Sequence, residues 1–151
     1  MTQDLTEISR RAITLLGRVG HGPASVIKAE LAPTREDFAA VFIGDAAQVA
    51  YDAYQGFWLE PPATLMRPTQ LEVRVVCLPA QQIVESREFP GGYSKIAHLL
   101  VPDQLWCRFK FRGAGGNDVT AYDGLVMRGE RWAWFPKPWR MLATSGAGEG
   151  N

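Results

Sequence analysis

The alternation of apolar and polar positions is cleanest between Leu105 and Arg112. Leu105, Cys107, Phe109 and Phe111 fall on one side, and Trp106, Arg108, Lys110 and Arg112 on the other. That period of two predicts a strand with one face on a core. A second strand is predicted near 70–78, where Leu71, Val73, Val75 and Cys77 alternate with Glu72 and Arg74 and Pro79 stops the run. Two further runs of β-formers, 118–128 and from Arg131 onward, flank the polar loop Arg128-Gly129-Glu130, a hairpin signal. Pro136 and Pro138 force the far half of the last arm, which reaches toward Leu142, to an edge or out of the sheet.

Upstream of Pro61-Pro62 the period is helical. Leu5, Ile8, Ala12, Leu15, Leu16 and Val19 share one face of a helix over 2–19, and a short helix follows over 24–31. Thr34 with Glu36 and Asp37 behind it reads as the start of a third helix. A fourth spans 46–58. It carries a small-residue face of Ala46, Val49, Ala50 and Ala53 with Phe57, and beside it an aromatic stripe of Tyr51, Tyr54 and Trp58. Tyr93, Ile96, Ala97 and Leu100 predict one more short helix near 93–100, outside the helical first 60 residues. Helices first and strands afterwards give an α+β domain over 1–142, with the helices on one face of a curved antiparallel sheet. The glycine-rich stretch 143–151 has no apolar anchor and reads as a mobile tail.

Composition adds exclusions. The chain has 151 residues, 46% hydrophobic and 21% charged, which is the globular class. Sixteen basic and sixteen acidic side chains leave no net charge, so nothing general draws the chain to nucleic acid or a membrane surface. The N-terminal stretch has acids before its basic pair and no long apolar run, unlike a signal peptide or anchor, and a cytoplasmic location is expected. Cys77 and Cys107 are too few for a disulfide scaffold and lack metal-ligand spacing. They read as two buried thiols, with a disulfide between neighbouring strands as the alternative. No CxxC, HExxH, phosphate-binding glycine loop or Ser/His/Asp order occurs, so no cofactor, metal or catalytic set is expected.

The final hairpin, with Gly129 at its bend and Trp132 just after it, resembles the NTF2-like superfamily. That is the α+β cone shared by nuclear transport factor 2, the steroid delta-isomerases and the SnoaL-type cyclases. The stretch YDGLVMRGERWAWFPKPWRML is similar to the last two strands of many bacterial members. The resemblance implies a cone with a pocket at its open end.

The candidate ligand site follows from that picture. Tyr51, Tyr54 and Trp58 would form one wall, aromatic walls with a few polar groups being what a small-molecule site uses. Asp123, which interrupts an apolar strand before Gly124, would lie on the floor or rim, where burial would raise its pKa. His98 would lie near the mouth; the residue pattern alone does not fix its distance to Asp123. The function expected is a domain that binds a small apolar or aromatic ligand or a protein partner, with no catalysis established by the residues. An isomerase, cyclase or dehydratase is the alternative, and an inhibitory or immunity-type interaction module the third reading. Trp106 and Trp139 among basic residues suggest a homodimer through the outer sheet face.

Overall fold

The computed structural model describes residues 4–144. Four helices come first: α1 (Leu5–Val19), α2 (Ala24–Leu31), α3 (Arg35–Val41) and α4 (Asp45–Leu59). After them come β1 (Gln70–Pro79), a one-turn helix α5 (Ala80–Ile83), 3-10 turns at Gly91–Lys95 and Ala97–Leu99, and β2 (Leu105–Gly113). A third 3-10 turn at Ala114–Gly116 leads to β3 (Thr120–Arg128), β4 (Arg131–Trp134) and α6 (Pro138–Thr144). The four strands make one antiparallel sheet in the order β1-β2-β3-β4. The expected α+β class is the one adopted.

The helix starts are local chemistry. Asp4 accepts the backbone N–H groups of Thr6 and Glu7 and so caps α1. At α3, Thr34 and Asp37 form a reciprocal capping box. Asp37 does more than cap. It is fully buried and accepts from Arg128 Nε at 3.0 Å and Arg131 Nη2 at 2.7 Å, which ties α3 to both ends of the β3–β4 turn. Burial pushes this carboxyl up, but the Thr34 N–H and the two guanidinium groups outweigh burial and hold it below its ordinary value.

The core face of the sheet is the predicted one. Leu105, Cys107, Phe109 and Phe111 are all buried. Tyr122 stacks on Phe109, and Trp134 meets Phe57, Trp58 and Phe109. The face of α1 that is buried is Ile8, Ala12, Leu15, Leu16 and Val19, and α1 packs along β1.

Four expectations need correction. Trp106 is not on an exposed outer face: it is fully buried, ringed by Phe42, Tyr93 and Phe135. The segment from Phe89 to Leu100 and the end of α3 cover that part of the sheet, so a dimer resting on Trp106 has no free ring to use. Leu71 is not in the core: a bulge between Gln70 and Glu72 removes it from the register and leaves it 76% exposed. The helix expected at 93–100 is two 3-10 turns, because Gly91-Gly92 weakens helix propagation and only i→i+3 bonds form, Ile96 to Tyr93 and Leu99 to Ile96. Helices are not confined to the expected segments either. α5 follows Pro79, and α6 begins at Pro138, a residue that suits a helix start as well as a strand end. The stretch read as a tail, 143–151, falls outside the described residues from 145 onward, and its first two residues belong to α6.

Cys77 and Cys107 stand directly opposite each other in the β1–β2 ladder and are joined as a disulfide, so the alternative reading of these residues is the one adopted. The bond closes a loop of sequence separation 30 that includes α5 and two of the 3-10 turns. The Cys77→Ala/Cys107→Ala double variant is expected to lose roughly 2–4 kcal/mol of unfolding free energy, the loop-closure magnitude. Urea titration of both proteins measures it.

Candidate functional site

The feature that shapes the site is a break in the β2–β3 ladder. Cys107 pairs with Leu125 and Phe109 with Tyr122, so Asp123 and Gly124 together oppose Arg108 alone. That bulge re-aims Asp123. Gly124 takes φ +90°, and a Cβ there would collide with the Phe135 carbonyl, while Phe135 N–H donates to Gly124 O at 2.7 Å. Only glycine lets the chain after β4 lie this close to β3.

The segment after β4 is held from several sides. Phe135 is fully buried within ring contact of Phe38, Phe42, Tyr54 and Trp106, at centroid distances of 5.1–6.0 Å. Tyr54 Oη donates to Pro136 O at 2.8 Å, and Lys137 N–H donates to Asp123 Oδ1 at 2.9 Å. These are the two ends of one peptide group. Lys137 itself sits at φ +49°, a conformation uncommon for a side-chain-bearing residue. Tyr93 Oη donates to the same Oδ1 at 2.8 Å, and Trp134 Nε1 donates to the Asp123 carbonyl at 2.8 Å. Trp139 closes the far side, 5.1 Å from the Tyr93 ring and against Gly92, where a Cβ would strike the indole.

Asp123 is 5% exposed. Burial raises its pKa above the ordinary 3.8, only partly opposed by the Lys137 N–H, the Tyr93 hydroxyl and the charges of Lys137 and Arg140. Burial, reinforced by the Asp123 charge, raises Tyr54 and Tyr93 well above the ordinary phenol value. Both phenols therefore stay protonated donors at neutral pH.

Asp123 also lines an open groove of about 380 Å³. Phe89, Pro90 and Trp139 supply apolar walls, Tyr122 borders the groove with its ring turned to the core against Phe109, and Arg87, Lys110 and Lys137 stand on its rim. Arg108 lies in the groove too but is 9% exposed and committed, with Nε on the Glu88 carbonyl and its guanidinium paired with the Glu88 carboxylate. Burial lowers its pKa. Arg87 and Lys110 make no ion pair among the described residues.

The five residues expected at one site divide among three places. Tyr54 and Asp123 meet through the Pro136–Lys137 peptide, but Tyr54 is fully buried and is not a wall. Tyr51 and Trp58 line a different groove of about 260 Å³ with Arg35, whose guanidinium lies 4.2 Å over the Tyr51 ring. His98 is exposed on a 3-10 turn and makes no hydrogen bond to Asp123 among the described residues.

The chain matches no known family model, no curated protein and no solved structure. The site therefore rests on its own geometry. Sequence reasoning missed Tyr93, Lys110, Lys137 and Trp139. Tyr93 occupies an apolar helical position and its hydroxyl gives no pattern. The Phe89-Pro90-Gly91-Gly92 turn was the available signal, since a glycine pair leaves room for an indole.

Two outcomes check this geometry. Gly124→Ala is expected to cost about 2–4 kcal/mol, a backbone clash added to a strained φ, measured by urea titration. For Asp123 the sign follows from a raised folded pKa: the folded state binds the proton more tightly, so the contribution of this residue to stability falls as pH rises from 3.8 through the folded value. The stability difference between wild type and Asp123→Asn should therefore move in favour of the variant over that window and be flat above it. Urea titrations from about pH 3 to pH 7 read it.

Proposed function

We propose that this chain is a non-catalytic binding domain of NTF2-like type that takes a small molecule with a flat apolar body and an anionic group. The groove beside Asp123 is the observation that carries this reading. Its volume, about 380 Å³, lies within the range of small-ligand sites. Phe89 and Trp139 offer aromatic surface to the apolar body, and Arg87, Lys110 and Lys137 offer charge to the anion. The buried carboxyl below them favours a ligand whose anionic end lies at the cationic rim.

The enzyme reading is second, and one observation favours it: a carboxyl with a burial-raised pKa lines the groove. Against it, Asp123 Oδ1 already accepts two hydrogen bonds and the residue is 5% exposed. The network reads better as support for the Pro136–Lys137 segment than as a proton-transfer group.

No helix among the described residues is long and apolar enough to cross a membrane. The Cys77–Cys107 disulfide bears on location. Such bonds persist in oxidising compartments and are rare in the cytosol, so we place the working environment on the oxidising side, against a cytoplasmic one.

The dye 1-anilinonaphthalene-8-sulfonate has the required shape and charge. Saturable fluorescence enhancement at one site is expected, with near-UV circular dichroism unchanged. Lys110→Ala and Lys137→Asn, the latter chosen because asparagine tolerates a positive φ, should each weaken binding by about threefold to tenfold. Binding that neither variant changes would place the dye elsewhere and overturn the proposal.

A further inference from the structure

We propose that two copies of this chain associate through the free edge of β1, pairing antiparallel about a two-fold axis at Val73. β1 is ten residues long and bonds to β2 on one side only. Its free edge can be assigned residue by residue. The Cα atoms of Cys77 and Cys107 are 4.1 Å apart, the close spacing of a non-hydrogen-bonded antiparallel pair. Cys77 therefore turns its backbone N–H and C=O away from β2. Val75 and Val73, in step with it opposite Phe109 and Phe111, do the same. A row of such groups is a template for another strand.

Three features fit a second copy. The first is charge. With Val73 opposite Val73 of the second copy, Glu72 of each chain stands opposite Arg74 of the other, at the close-spaced positions where cross-strand side chains meet. Both side chains are about half exposed; within one chain Arg74 Nε pairs with Glu72 Oε2 at 3.1 Å, and association exchanges that pair in each copy for two between the copies. Centring the axis on Val75 instead would set Arg74 against Val76 and lose both pairs. The second is shape. In the Val73 register Leu71 of one copy comes level with Val75 of the other. Leu71 is 76% exposed because of the bulge. Val75 lines an open, largely apolar groove of about 530 Å³ with Leu5, Ile13 and Val76. The third is symmetry: a protruding residue and a receiving groove four positions apart on one strand are self-complementary under a two-fold axis. No residue lining the groove beside Asp123 belongs to β1.

Sedimentation velocity from about 5 to 200 micromolar tests the proposal. The wild type should shift from monomer to dimer over that range. Val73→Pro removes an N–H that β2 does not use and should raise the dissociation constant at least tenfold. Glu72→Arg sets like charges opposite each other and should do the same, and the Glu72→Arg/Arg74→Glu double variant should restore association. Near-UV circular dichroism and thermal melts establish that each variant is folded. A wild type monomeric at 200 micromolar, or a dimer indifferent to Val73→Pro and Glu72→Arg, would overturn the proposal.

Discussion

One peptide group, Pro136–Lys137, is gripped from both sides, and the rest of the site depends on that grip. Tyr54 on α4 donates to its carbonyl, and Asp123 on β3 accepts from its N–H. The two bonds come from elements far apart in the chain, so they set where the segment after β4 leaves the sheet. Lys137 holds a positive φ there, and α6 starts at the next residue. Trp139 is thereby delivered onto Gly92 and Tyr93. The grip works together with the seat of Phe135 among its four ring neighbours and its bond to Gly124 O, and it directs the chain so that Trp139 walls the groove.

The two buried carboxylates solve opposite problems. Asp37 meets two guanidinium groups and a backbone N–H, which together more than offset its burial. It contributes stability above the ordinary carboxylate value, lost as pH falls through its lowered folded pKa. Asp123 receives neutral donors at close range, and its nearby cations do not offset burial. Its ionised form costs stability in the fold. The hydrogen bonds it makes are worth that cost only because they fix the backbone of the 135–139 segment. Asp37 thus fastens α3 to the hairpin, whereas Asp123 fastens the floor of a groove.

Much of the fold is legible because period and burial agree. The helix positions of α1 and α2, the capping box at Thr34 and the core face of β2 all follow from local rules that the tertiary structure keeps. The site was legible only in pieces. Asp123 stands out as a carboxylate in an apolar strand, and Tyr54 as an aromatic on a small-residue helix. Their meeting runs through a backbone peptide, which has no sequence signature. Trp106 was misplaced by the same logic that placed Phe109. Strict alternation assigns one face to solvent, but here the Phe89–Leu100 segment covers that face where Trp106 lies. Tyr93 provides part of that cover, its ring edge-on to Trp106.

The places where alternation fails are also the places where the sheet presents something to the outside. At the β1 bulge one residue leaves the register, and Leu71 stands out on the free edge. At the β3 bulge two residues share one position, and Asp123 turns into the groove while Gly124 admits the Phe135 backbone. Regular positions between them, such as Phe109 and Phe111, are mostly committed to the core, although Lys110 reaches the groove rim from a regular position. A strand that obeyed the period throughout would bury or solvate every side chain by parity alone, leaving no carboxyl beneath a groove and no leucine on an edge. The two irregularities lie on different strands and expose different chemistry, one polar and enclosed, the other apolar and open. The proposed small ligand at the first and the proposed second copy at the second therefore draw on different parts of the fold.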